Sequence, residues 1–261
     1  MMKPAAEVLR QKAPRNLKIV LEYDGRAYVG WERQKNGPGI QTLIEDAIQN
    51  ITRERTTVNG SGRTDAGVHA LGQVASFTLQ NRIGSADLHR ALNAVLPDDV
   101  VIKTLEEVSL FFHARFSAKS KSYRYRILNS RIARPLDRHL YWQVFPPLDI
   151  PKMQEAATLI EGRRDFAAFC KEPGRYDTCV RDLMKLSVTK IDDDILVEAR
   201  ADGFLYNMVR ILVGTLVYVG LGKIEASGIA EIFESGDRNL TGPTVPACGL
   251  ALHRVFYEVE R

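Results

Sequence analysis

Cysteine is scarce in this 261-residue sequence: Cys170, Cys179 and Cys248 are the only three, and no two form a Cys-x-x-Cys pair. An odd, widely spaced set argues against a disulfide framework and against zinc, and it suits reduced thiols in a cytosolic protein. No metal site is therefore expected. An apolar signal-peptide core is also missing from residues 1–18, which are polar and mixed in charge, so residues 1–15 read as a leader ahead of the first strand. Long apolar runs are limited to Phe204–Leu221, which is short for a membrane span and carries Arg210 and several glycines. A buried helix is the expectation there, and no membrane association. Charge of one sign is scarce overall, with a net charge of +4 and a charged fraction of 26%.

The distribution of charge says more than its sum. Arg115, Lys119, Lys121, Arg124, Arg126, Arg131, Arg134 and Arg138 face a single acid, Asp137, within one stretch. Such a run is either a solvated face or a contact for an anionic polymer, since local positive density attracts phosphates and releases their counterions. Tyr123, Tyr125, Tyr141 and Trp142 lie in or beside it, and flat rings stack on exposed bases, which favours nucleic acid.

Periodicity predicts a strand over Leu17–Tyr23, a helix over Gln41–Ile51, a short strand near Thr56–Val58 and another strand over Gln73–Leu79. A second helix over Ala86–Val95 and a strand over Val100–Glu106 complete a first half, residues 16–111. The second half, 112–261, reads as strands at Ser122–Leu128 and Leu140–Val144 and a helix from Pro151 to near Gly162. A hairpin of Leu183–Lys190 with Ile195–Ala201 follows, then helices over Phe204–Leu221 and Ile229–Phe233 and a last strand over Leu250–Glu258. Two α+β halves of similar ingredients suggest a pseudo-duplicated architecture. Within the long helix, Arg210 poses a problem, because an unpaired guanidinium in a core is very costly. It must reach solvent or meet a carboxylate, and Asp65 is the expected partner.

Asp65 stands in the stretch Gly60-Ser-Gly-Arg-Thr-Asp-Ala-Gly-Val-His-Ala-Leu-Gly-Gln73, whose four glycines permit positive φ and close backbone approach. It has neither the Gly-Lys-Ser/Thr ending of a phosphate-binding loop nor the Gly-x-Gly-x-x-Gly order of a dinucleotide site. A carboxylate flanked by Arg63 and His69 can serve as nucleophile or general base beside a held phosphate. It can also simply cap backbone amides in a tight turn. As metal ligands, Asp65 and His69 alone are too few.

The run Gly62-Arg-Thr-Asp-Ala-Gly-Val-His-Ala70 resembles the signature of the TruA family of tRNA pseudouridine synthases. Four further segments are similar in order: Glu22-Tyr-Asp-Gly25 with Gly30-Trp31; Phe112-His-Ala-Arg-Phe-Ser117 with Lys121-Ser-Tyr-Arg-Tyr-Arg126; Asn207-Met-Val-Arg-Ile-Leu-Val-Gly214; and Gly249-Leu-Ala-Leu252. The resemblance implies two joined α+β halves with a mainly antiparallel mixed sheet and a central cleft. It implies a homodimer that isomerises uridine at positions 38 to 40 of tRNA, without a cofactor. It makes Asp65 the catalytic aspartate, Tyr123 the ring that stacks on the target uracil, and Arg63 a residue that helps open the stem. Arg210 becomes the partner of the carboxylate, and Leu250 a wall of the base pocket. A binding protein or RNA chaperone without catalysis is the alternative. One departure is Glu32, where the family usually has glutamine after Gly30-Trp31. It is expected to alter a local hydrogen bond or RNA contact.

Overall fold

The computed structural model describes residues 13–34 and 37–258; most of the expected leader lies outside them. The first half runs β1 (Arg15–Tyr23), α1 (Ile40–Thr52), β2 (Asn59–Gly60), β3 (His69–Leu79), α2 (Ser85–Val95) and β4 (Val100–Val108). In β1 the alternation Leu17, Ile19, Leu21, Tyr23 is buried, as a strand with one packed face requires. In α1 the spacing of Ile40, Ile44, Ala47 and Ile48 buries one helical stripe, and Arg53 ends the helix in the left-handed region at φ 63°.

The second half runs β5 (Ser120–Leu128), β6 (Trp142–Gln143), α3 (Ile150–Ile160), β7 (Gly162–Asp165), β8 (Val180–Ile191) and β9 (Asp194–Ala201). It ends with α4 (Met208–Gly220), α5 (Ile229–Ser235) and β10 (Leu250–Phe256). The fold is α+β, with one sheet in the order β4-β1-β3-β10-β5-β9-β8-β7, while β2 adds to β3 and β6 to β5. Pairing is antiparallel except at β10–β3 and β5–β6. The final strand thus sits between the halves, joining β3 of the first to β5 of the second.

Several boundaries differ from the sequence expectation. Thr56–Val58 is irregular, and the strand is the two-residue Asn59–Gly60. β3 begins at His69, so the tail of the glycine-rich stretch is strand rather than loop. Leu140–Val144 contracts to Trp142–Gln143. The long helix starts at Met208, because Asn207 takes a left-handed φ of 62° that a helix cannot continue through. β7 has no counterpart in the expectation; its residues are mostly exposed and charged, with no apolar period to read.

The basic run is also less open than its sequence suggests. Arg124 pairs with Glu198 at 3.0 Å, Arg126 with Asp137 at 3.0 Å, and Arg134 with Asp194. Tyr141 is buried and bonds the backbone of Arg134, and Tyr125 is fully buried with its hydroxyl on the Pro246 carbonyl. Tyr123 is the tyrosine of that run whose hydroxyl feels the charge of Asp65.

α4 is held against the 242–244 loop by the absence of side chains. A Cβ on Gly214 would stand 1.9 Å from the Pro243 carbonyl oxygen, and one on Gly242 2.2 Å from the Gly214 carbonyl carbon. Intrinsic propensity favours alanine over glycine inside a helix by about 1 kcal/mol. The backbone clash opposes it and is larger, so Gly214→Ala should destabilise the protein by about 2 kcal/mol or more in urea unfolding. A variant as stable as the parent would show that the two backbones can part without cost.

Candidate active site

The Asp65 loop is pinned on both sides of the acid. Ser61 donates its backbone N–H to the Val74 carbonyl at 2.7 Å and its hydroxyl to Gln73 Oε1 at 2.7 Å, and Gln73 Nε2 donates to the Gly62 carbonyl at 2.9 Å. Thr64 shares a 2.8 Å bond between its hydroxyl and that of Tyr23, and its carbonyl accepts the Trp31 N–H at 3.0 Å. Gly30 makes that approach possible: its φ is +106°, and a Cβ there would lie 2.4 Å from the Thr64 oxygen. Gly67, at φ +76°, then turns the chain so that the Val68 N–H reaches the Asp65 carbonyl at 3.1 Å.

These bonds consume the loop's neighbouring polar groups and leave the Asp65 carboxylate unused by the turn. Its cationic neighbour is Arg210, with Nη1 3.9 Å from Oδ2, the contact that a largely buried guanidinium requires. That is ion-pair range, beyond a hydrogen bond. Arg210 is aimed by other groups: Nε donates to the Val245 carbonyl at 2.7 Å and Nη1 to Asn207 Oδ1 at 2.8 Å. The left-handed turn at Asn207 is what brings its amide back over the first turn of α4.

Burial raises the Asp65 pKa above the ordinary carboxylate value, while the charges of Arg210 and Lys171 act in the opposite direction and compensate only in part. Nothing in the sequence singles out Lys171; only its position after the Phe166–Cys170 segment brings it near. Tyr123 is buried on β5, edge-on to Phe204 with ring centroids 5.0 Å apart, and burial with nearby Tyr23 and Asp65 pushes its hydroxyl pKa far up. The Tyr23 hydroxyl is likewise pushed up to about 12 by burial. Both phenols are therefore neutral at working pH.

Arg63 is exposed and does not join this cluster; its Nε bonds the Glu32 carboxylate. The residue that departs from the family pattern thus holds the arginine of the signature. Leu250 is buried at the start of β10, directly across from Tyr125, so the register puts its side chain on the sheet face of Tyr123 and Tyr125. With Ala251 it also borders a separate cavity of about 760 Å³, whose walls include Arg124, Arg126 and Leu71. Since Arg124 and Arg126 alternate along β5 with Tyr123 and Tyr125, that cavity opens on the opposite face of the sheet. His69 points away from Asp65, accepting the Gly25 N–H at Nδ1 and lying 3.2 Å from Asp24. Among the described residues no group of three His, Cys, Asp or Glu side chains could hold a metal, and no helix is long and apolar enough to cross a membrane.

A family model described as tRNA pseudouridine synthase matches residues 19–117 and 156–258, most of the chain. The chain belongs to the tRNA pseudouridine synthase family. It is 47% identical over 243 residues to tRNA pseudouridine synthase A of Acetivibrio thermocellus, covering 93% of this chain and 100% of that protein. The protein of the same name from Thermoanaerobacter sp. is 45% identical over the same shares, and that of Rhodospirillum rubrum is 46% identical over 93% of this chain and 88% of its own length. The archaeal box H/ACA sRNP Nop10-Cbf5 complex aligns over 86% of this chain and 60% of its own at 12% identity, with a TM-score of 0.35, too slight a likeness to carry weight.

A carboxylate whose pKa is raised on folding weakens the fold at neutral pH. The unfolded chain releases that proton near pH ~3.9, so stability falls as pH rises through the window between the unfolded and the folded pKa and stays lowered above it. Asp65→Asn should therefore raise the melting temperature at pH 7, with the gain fading towards pH 3. Melting curves of both proteins across that range check it, and a variant less stable at pH 7 would mean that Arg210 outweighs burial.

Proposed function

We propose that the protein isomerises uridine to pseudouridine in tRNA, at positions 38 to 40 of the anticodon stem-loop, with Asp65 as the group that acts on the flipped nucleotide. One observation carries this reading: in a member of this family, a rigidly held loop presents a carboxylate that its own turn does not use, beside a separately anchored guanidinium. The reaction breaks the N1–C1′ bond, turns the base and rejoins it through C5, so no atom is gained or lost and no co-substrate is needed.

The target base has to leave its stack, at a cost of roughly a few kcal/mol. In this reading Tyr123 takes the extruded uracil, supported from the side by Phe204. Arg210 keeps Asp65 ionised and aimed, since a nearby cation favours the charged form. Asp65 then attacks C1′, attacks C6, or takes a proton at C2′; the three routes share the same starting geometry. Arg63, once released from Glu32, occupies the stem that the nucleotide vacates. The Leu250 side chain, on the same sheet face as Tyr123, belongs to the wall behind the uracil.

We place tRNA across a homodimer. Supporting that assembly, the cavity on the far face of the sheet is rimmed by exposed apolar side chains, including Leu71, Val101 and Ile191.

The deciding experiment uses tRNA tritiated at uridine C5. Wild-type protein should release tritium as C5 forms its bond to C1′, and Asp65→Asn should lower the rate by at least ~10³-fold. Release that persists in the variant would remove Asp65 from its role, and no release by the wild type on any tRNA would favour binding without catalysis. Glu32 supplies an independent check. The Glu32→Gln variant loses a negative charge near the RNA path and frees Arg63, so its KM for tRNA should fall by about two- to fivefold with kcat little changed. A KM that rises would show that Glu32 positions Arg63 rather than restrains it.

A further inference from the structure

A second pocket, polar and of about 460 Å³, has Lys171, Arg238, Asn239, Thr241 and Thr244 among its walls. Its two cations have no carboxylate partner among the described residues. The Lys171 side chain is exposed and lies 5.8 Å from the centre of the Tyr206 ring. Arg238 is half-buried, and its guanidinium bonds neutral oxygens: Nη1 to the Gly242 carbonyl at 2.8 Å and Nη2 to Thr244 Oγ1 at 3.2 Å. Arg124 is matched by Glu198, whereas Arg238, like Arg181, bonds no acid among the described residues. Two uncompensated charges converging on one pocket with hydroxyl and amide groups form a receptor for an anion.

The pocket is tied to the reactive centre through the backbone at two points. Lys171 donates its N–H to the Tyr206 carbonyl at 3.1 Å, just before the Asn207 turn that holds Arg210. Thr244 precedes Val245, whose carbonyl accepts from Arg210 Nε and whose N–H donates to the Arg210 carbonyl at 3.4 Å. The charge of Lys171 is also felt at Asp65, where it favours the ionised form. The pocket and the Asp65 site thus share the charge of Lys171.

We propose that this pocket is a phosphodiester subsite, in which Lys171 and Arg238 hold a backbone phosphate of the RNA adjoining the nucleotide that enters the active site. The assignment rests on the tRNA reading above and adds the residues that register the strand. Lys171 is the adjustable contact, an ammonium on an exposed, flexible stem. Arg238 is the fixed one, held by the loop that it braces.

The test compares wild type, Lys171→Ala and Lys171→Arg, reading tRNA binding by filter retention and turnover by tritium release across a salt series. Lys171→Ala should weaken binding and raise KM by about fivefold, and flatten the slope of log affinity against log salt by about one unit, with Lys171→Arg restoring both. Unchanged binding and slope with a lowered kcat and a shifted acid limb would overturn the subsite and make Lys171 only a countercharge to Asp65. Inorganic phosphate separates the sources. Inhibition by phosphate that is competitive with tRNA and lost in Lys171→Ala supports an RNA phosphate site. Phosphate binding that leaves tRNA affinity untouched would overturn it in favour of a free anion. Should the wild type release no tritium, the isomerase reading falls, while the binding slopes still decide the subsite.

Discussion

Everything at the carboxylate site depends on where the last strand goes. β10 inserts between the halves, with Ala251 opposite His69 in parallel and Leu252 opposite Tyr123 in antiparallel register. The loop bearing Asp65 ends at His69, so one strand fixes the distance between that loop and the Tyr123 ring. The segment leading into β10 also passes Val245, which brackets Arg210 through both of its backbone groups. Three residues far apart in sequence are thus referenced to a single seven-residue strand. Only two residue pairs join β10 to β3, yet side-chain period allows no slip, because a shift by one would turn Leu252 out of the core.

That framework holds a carboxylate in a place that does not favour its charge. Desolvation is the largest influence on Asp65, and Arg210, at 3.9 Å, offsets part of it without forming a close hydrogen bond. A tighter pair would stabilise the protein more and leave the acid less reactive, since a carboxylate saturated by donors is a poor nucleophile and a weak base. The surrounding bonds maintain the looser arrangement. Arg210 gives donors to Val245 and Asn207, and the loop's hydroxyls go to Gln73 and Tyr23. With those groups engaged elsewhere, the surroundings do not collapse onto the acid.

Regular elements are legible in the sequence where apolar residues repeat. The alternation in β1 and the stripe in α1 fix both element and face, and the cost of burying Arg210 unpaired leaves it to reach solvent or a carboxylate, of which the structure brings Asp65 to 3.9 Å. Legibility fails where the cause is remote or aperiodic. The start of α4 is misread because Phe204 and Leu205 continue the apolar run, although Phe204 is needed on Tyr123 and Asn207 is left-handed. β7 has no apolar face to read, and it is placed in the sheet by its pairing with β8. The basic run reads as an open strip because Asp194 and Glu198, which neutralise Arg134 and Arg124, stand on a strand 60 and 74 positions further along. Lys171 and the Glu32–Arg63 pair carry no local signal at all.

Cancellation of charge therefore matters more here than its total. Arg124 and Arg134 are matched by acids on β9 and contribute structure, whereas Lys171 and Arg238 have no carboxylate partner among the described residues, and the charge of Lys171 is felt at Asp65. Arg63 stands between these classes. It is bonded to Glu32, but both side chains are largely exposed, at 69% and 41%, and exposed pairs of this kind are worth about 0–1 kcal/mol. A phosphate approaching Arg63 competes with that pair on nearly equal terms, so the contact can hold the arginine out of the way in the free protein and release it to RNA. Arg210, anchored by two hydrogen bonds and largely buried, has no such freedom. The site thus combines one arginine fixed to aim a carboxylate with another only loosely held, as a reaction needs when its substrate has first to be unstacked and then kept still.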